Sequence, residues 1–339
     1  MTEMEYDDNG NIIGERGSFA SPLGKYMGAN VDLADADYAE DEGVIVKSKR
    51  PLRDPEARAA LPMFRTLTLS ELENLPDPEW LVTDILPADA LTTVYGAPGS
   101  TKSFLALDIA CSIASGHTFH NKEVRQGKVI YCVGEGLRGM KWRVEAWKLA
   151  HPSADHQALD ENLIIVPHAV RLLEKTEQEM LFNTAKELAE ESELRMFIVD
   201  TWARSLTGGD ENSAQDAGIA IDVCEKIRAE TGASPLVVHH SGADGMRERG
   251  STALRGASDC TLHMDKQEAS GLITLTCKKS KDSEPFAPMR FMLRQYGHSV
   301  VLEEQVNIVP QTNGSYYGTQ KKSRADWARE AAERSASPF

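Results

Sequence analysis

The chain has 339 residues, 41% hydrophobic and 26% charged. These are globular proportions, with room for one large α/β domain plus extensions or for two modest domains. The formal charge of −15, from 52 acidic and 37 basic residues, excludes coating of nucleic acid through bulk positive charge and leaves only a local basic channel for that role.

Positions 1–42 hold eleven acidic and two basic residues, so most of the excess negative charge lies there. Residues 1–61 therefore read as an acidic, disordered leader, too poor in apolar side chains to offset its ordering entropy. The acidic N-terminus lacks the apolar run of a signal peptide. No stretch approaches 18 apolar residues, which predicts no contact with a membrane. The five cysteines, Cys111, Cys132, Cys224, Cys260 and Cys277, show no metal-ligand spacing. Buried, reduced thiols in a cytoplasmic protein are expected.

Structure is expected to resume near Phe64. Residues 66–76 offer Thr68 or Ser70 as a helix N-cap, leucines at helical spacing, and Pro76 as a stop. WLVTDILP (80–87) is a short apolar piece, and LTTVYG (91–96) is a β-rich run leading into GAPGSTKS (96–103). FLALDIACSIASG (104–116) reads as a helix ended by Gly116. GKVIYCVGE (127–135) suits a strand buried on both faces. An amphipathic helix over 137–150, a strand over 162–167 and a helix over 174–192 come next. LRMFIVDTW (194–202) and SPLVVHHSG (234–242) are strands, separated by a helix over 216–232. The segments 271–281, 289–297 and 299–304 are late strands, the last two joined around Gly297. Strands alternating with helices predict an α/β fold, a mostly parallel sheet with helices on both faces and antiparallel strands at its C-terminal edge. Residues 62–305 form this domain. Residues 306–339 form a tail with a short, net-basic helix over 321–335.

Gly96, Ala97, Pro98, Gly99, Ser100, Thr101, Lys102 and Ser103 fit the spacing GxxxxGK[ST] of a phosphate loop except at Thr101. The loop lies between a strand and a helix, as that motif requires. Backbone N–H groups of such a turn form an anion nest reinforced by the helix N-terminus. Lys102 supplies a charge to the β/γ-phosphates, and the Ser103 hydroxyl joins a Mg²⁺ shell. ATP and Mg²⁺ are the expected ligands. Thr101 stands where the consensus has glycine. A position with positive φ would make a β-branched residue costly there; a helical φ would tolerate it.

Mg²⁺ also calls for a carboxylate at the tip of a neighbouring apolar strand. Asp200, after MFIV, is placed for that. Glu135 ends the strand VIYCVG and is the candidate to orient or deprotonate water. His239 and His240 end the strand PLVV, and only one can face the site because adjacent strand residues point to opposite faces. His240, nearer the strand tip, is the choice.

The ordered set GAPGSTKSFLALDIA, VIYCVGEG, IVDTWARSLTGGDENSAQD, VVHHSG and RGSTALRGASD resembles the hexameric replicative helicases of the plasmid RepA type, within the RecA/DnaB-like P-loop ATPases of phages and plasmids. The resemblance covers roughly 62–305. It implies a RecA-like core, a ring of six subunits, and ATP hydrolysis at subunit interfaces. By position it assigns Lys102 and Ser103 to the nucleotide loop, Glu135 to the catalytic glutamate, Asp200 to the metal and His240 to a sensor. KKSK (278–281) matches the strand that enters the next subunit's site, with Lys279 and Lys281 as fingers where the family often has arginine. The glycine-rich loop 242–256, with Arg247, Arg249 and Arg255, matches a pore loop able to track a DNA phosphate backbone. Asp210 and Glu211 are read as capping the next helix or meeting a neighbour. The function implied is an ATP-dependent helicase or translocase on single-stranded DNA in phage or plasmid replication, with other replication proteins as partners. A RecA-like recombination or repair ATPase, or a nucleotide-binding scaffold without motor activity, is the alternative.

Overall fold

The computed structural model describes residues 4–6, 12–15, 67–74, 78–242 and 249–305. Most of the predicted leader, the predicted helix over 321–335 and Arg247 lie outside the described residues. The chain divides into two units, Met1–Pro76 and Asp77–Phe339.

In the first unit β1 (Met4–Tyr6) pairs antiparallel with β2 (Ile12–Glu15). Helix α1 (Leu69–Glu73) begins at Thr68, the first of the two expected caps. Its side chain accepts from the Glu71 N–H while the Glu71 carboxylate accepts from the Thr68 N–H, a reciprocal capping box.

In the second unit β3 (Trp80–Val82) and β4 (Leu86–Pro87) make a short antiparallel pair. The remaining strands form one nine-stranded sheet. They are β5 (Thr92–Gly96), β6 (Lys128–Val133), β7 (Leu163–Val166), β8 (Leu194–Asp200), β9 (Ser234–His240), β10 (Cys260–Lys266), β11 (Ile273–Ser280), β12 (Met289–Tyr296) and β13 (Ser299–Glu304). Their order is β13-β12-β11-β10-β5-β9-β8-β6-β7. The run from β10 to β7 is parallel throughout, and β11 to β13 continue it antiparallel. The predicted α/β class, with parallel centre and antiparallel C-terminal strands, is the observed one. Its chemistry follows from the packing. Central β5, β8 and β9 are buried nearly end to end, whereas β11 alternates buried and part-exposed residues.

Two apolar layers cover the sheet. On one face lie α2 (Lys102–Ser115), α3 (Leu137–Ala150) and α4 (His156–Asn162), packed on Val129, Tyr131, Ile198, Leu236 and Val238. On the other lie α5 (Lys175–Glu191), α6 (Trp202–Ser205), α7 (Ala214–Thr231) and α8 (Thr252–Ala257), packed on Ile130, Phe197, Val199 and Val237. The parity of the strands decides which residue meets which layer: even residues of β8 and β9 face α2, odd ones face α7. Helix α2 is buried almost all round. Leu105, Ile109 and Ile113 are fully enclosed, each contributing about 1.5–3 kcal/mol by burial. The helix that carries the phosphate loop is thus fixed to the centre of the sheet. Among the described residues no helix is long and apolar enough to cross a membrane.

Candidate active site

The loop 96–103 connects β5 to α2 at the carboxyl ends of the parallel strands, where open α/β sheets bind ligands. Gly96 is required by closeness: an added Cβ would collide with the main-chain carbonyl of Met264 on β10. Gly99 has φ +79°, open to glycine at no steric cost. Thr101, directly before the helix, has φ 70° and ψ 22°. The position does need a left-handed backbone, so the costly alternative holds, and the Thr101 hydroxyl is buried without a hydrogen-bond partner among the described residues.

Lys102 is buried, 6% exposed. Its ammonium donates to the carbonyls of Gly96 and Ala97, both at 2.9 Å, and lies 3.4 Å from Ser100 Oγ. Burial lowers its pKa to about 8, against the opposing pull of Asp200 and Glu135. The same cation therefore senses both carboxylates singled out from the sequence.

Asp200 ends β8, separated from β5 by β9 alone, and is 3% exposed. The Tyr131 hydroxyl donates to its Oδ2 at 2.7 Å. Oδ1 is buried with no partner among the described residues. Burial raises the Asp200 pKa, while hydrogen bonds from Tyr131 and Ser103 work against that rise. A buried carboxylate with one unused oxygen, beside the Ser103 hydroxyl, fits a hydrated Mg²⁺. The Asp200–Thr201 peptide is cis.

Glu135 lies two residues beyond β6, half exposed, and accepts from Arg204 Nε at 3.0 Å. His239 and His240 divide as strand parity requires. His240 shares the α2 face with Asp200. Its pKa is lowered by burial first and then by Lys102, and Glu135 opposes. His239 is 1% exposed and faces the α7 side; burial lowers its pKa to about 4, so its ring is neutral near pH 7. The structure thus brings Lys102, Ser103, Asp200, Glu135 and His240 to one end of one face.

Lys279 and Lys281 lie elsewhere. β11 runs antiparallel to β10, with Cys260 opposite Ser280 and Thr261 opposite Lys279, so these lysines sit at the end of the sheet opposite the phosphate loop. Lys279 donates to the carbonyls of Arg255, Gly256 and Ser258, at 3.1, 3.2 and 2.5 Å, closing the end of α8. Lys281 pairs with Asp259 at 2.6 Å. Arg249 lies just after the undescribed stretch 243–248, and Arg255 is exposed on α8. Asp210 and Glu211 do not cap α7; Ser213 does, accepting from the Asp216 N–H. Glu211 meets Arg249 of the same chain.

Two participants escaped the sequence reading. Tyr131 passed for core, although its position on β6 has the parity of Glu135, a signal that was present. Arg204 carries no local motif. The partner of Glu211, Arg249, lies 38 positions away, which no spacing reveals.

A family model described as an AAA domain matches residues 57–246, more than half of the chain. No curated protein matches.

Proposed function

The chain belongs to the AAA domain family, a P-loop ATPase domain, and from that premise we propose that it is an ATP-driven motor on single-stranded DNA, a helicase or translocase of the plasmid RepA type serving phage or plasmid replication. The observation that carries the ATPase part is the buried Asp200 carboxylate, held by Tyr131 on one oxygen and without a partner among the described residues on the other, on the same sheet face as the phosphate-loop lysine.

In this reading the N–H groups of 99–103 and Lys102 bind the phosphates, and Ser103 and Asp200 hold Mg²⁺. A Mg²⁺ ion held there by Ser103 and Asp200 would supply charge neutralisation to the phosphate oxygens. Glu135 orients the attacking water once Arg204 releases it. His240, on the last residue of its strand, reaches the terminal phosphate and passes its presence to the segment that follows. Arg249 and Arg255, with Arg247, contact DNA phosphates without reading bases. Lys279 and Lys281 serve a neighbouring subunit of a homohexamer, which is why their own phosphate loop lies at the far end of the sheet. The working unit in this proposal is residues 62–305, between an acidic leader and a basic tail, in the cytoplasm.

One observation favours the scaffold reading: Thr101 occupies a left-handed position where glycine is natural. Unwinding of a forked DNA by the full chain with ATP separates the readings. The motor reading expects strand separation that needs hydrolysable ATP and is lost in Glu135→Gln. ATP turnover without strand separation would favour the recombination class, and neither activity the scaffold.

A further inference from the structure

Glu211, in the segment after β8, is fastened to residues 249–251, just before α8. Arg249 Nε stands 3.1 Å from Glu211 Oε2. The main chain around this pair is pinned from three sides. The Arg249 N–H donates to the His240 carbonyl at 2.9 Å, and the Ser251 N–H donates to the Glu211 carbonyl at 2.9 Å. The His239 Nε2–H donates to the Arg249 carbonyl at 2.6 Å. Gly250 between them has φ +80°, and a Cβ there would be driven into the Glu211 carbonyl. The two partners are unequal in exposure. The Glu211 side chain is 14% exposed, that of Arg249 63%. Among the described residues Glu211 Oε1 is buried without a hydrogen-bond partner, and it lies 3.6 Å from His239 Nδ1, which likewise has none among them.

We propose that Glu211 is an internal substitute for a DNA phosphate. Its carboxylate holds Arg249 in a closed clasp, and single-stranded DNA must displace it to engage Arg249. The inference rests on the reading of the chain as a motor on single-stranded DNA and adds the device that gates it. The chemistry favours exchange. The contact to Arg249 runs through Nε, on a guanidinium that remains mostly in solvent, where a single ion pair is weak. A phosphate offers the planar fork two oxygens and releases condensed counterions. The clasp is also tied to the nucleotide site. Arg249 is bonded through its main chain to both histidines, and His240 lies on the Asp200 face. A displacement of His240 therefore pulls on the segment that carries Arg249, so that nucleotide and DNA act on one clasp from its two sides.

The test is a fluorescence-anisotropy titration of a labelled oligothymidylate with the full chain at several salt concentrations. The proteins are wild type, Glu211→Gln, Arg249→Gln, the double variant, and Asp210→Asn as a control for loss of one neighbouring negative charge. The expected result is about three- to fivefold tighter binding by Glu211→Gln, less than about twofold change in Asp210→Asn, and loss of the gain when Arg249 is also replaced. Arg249→Gln should flatten the dependence of log K on log salt by about 0.7, one phosphate on a single strand. Glu211→Ala, which keeps the main-chain bonds of residue 211, serves the same comparison if the glutamine variant melts early. DNA binding by wild type with equal affinity in the Glu211 variants, or an equal gain from Asp210→Asn, would overturn the clasp and leave the motor reading standing. No DNA binding by any of the proteins would overturn both.

Discussion

Lys102 makes the nucleotide site testable without any assay of turnover. Burial lowers its pKa to about 8 in this structure. Triphosphate oxygens add negative charge and push it back toward the ordinary lysine value of about 10.4. Below pH 8 the amine is protonated in either case and no proton moves. Above it, nucleotide binding takes up a proton. Calorimetric binding enthalpy at pH 8.8 is therefore expected to vary with the ionisation enthalpy of the buffer, and at pH 6.8 to be independent of it; Lys102→Ala should lose the dependence along with most of the affinity. A buffer-independent enthalpy at both values would remove this lysine from the phosphates. Thr101 gives a second residue-scale expectation. A β-branched residue at φ 70° costs about 1–2 kcal/mol, and glycine recovers part of that after its own chain entropy. Thr101→Gly should raise stability by about 0.5–1 kcal/mol, read as a Tm increase of about 1–4 °C. A lower Tm would mean that the hydroxyl has a use the strain argument omits.

At the level of elements, the link between α2 and α3 is polar and buried. Asp108 on α2 is 4% exposed and accepts from Trp147 Nε1 at 2.8 Å and from His120 Nε2 at 2.9 Å. Burial alone would lower the His120 pKa; the hydrogen bond and charge of Asp108 outweigh it and raise the value. A histidine whose folded pKa is raised contributes stability that is full below about pH 6.5 and fades as pH climbs through the folded value. Tm is thus expected to fall between pH 6.5 and 8.5 in wild type and to fall less in His120→Gln, and parallel profiles would contradict it. The sequence shows why some elements are legible and others are not. The helix over 137–150 matched Leu137–Ala150 end to end because its apolar stripe and its bounding glycine agree. The buried strands β6, β8 and β9 announced themselves as apolar runs. β10 was missed, because CTLHMDK mixes polar and apolar residues and is held by β5 and β11 rather than by its own pattern. Helix α8 was missed too, its six residues being capped by Ser251 and closed by Lys279 from a distant strand. The same division runs through the site. The phosphate loop and Asp200 are local signals, while the Tyr131 and Arg204 contacts depend on strand order.

At the scale of the molecule the question is assembly. Lys279 and Lys281 are far from the phosphate loop of their own chain, so if they act in hydrolysis they act on a neighbour. ATP turnover per subunit should then rise with protein concentration and level off as rings complete. Mixing Lys102→Ala with Lys281→Ala subunits should recover part of the activity that each lacks, because some interfaces pair an intact loop with an intact finger. The pair with Asp259 adds a check: Lys281 has its pKa raised by that hydrogen bond and charge, and Lys281→Ala must first be shown to melt like wild type. Turnover per subunit that is constant across all concentrations, with no recovery on mixing, would place hydrolysis within one chain. The claim on which the rest depends is that this ATPase works on DNA. Steady-state ATP hydrolysis by the full chain, with and without a saturating oligothymidylate, addresses it most directly. A rise of about tenfold or more on adding DNA, absent in Glu135→Gln, is the predicted result; an equal rate with and without DNA would contradict the account.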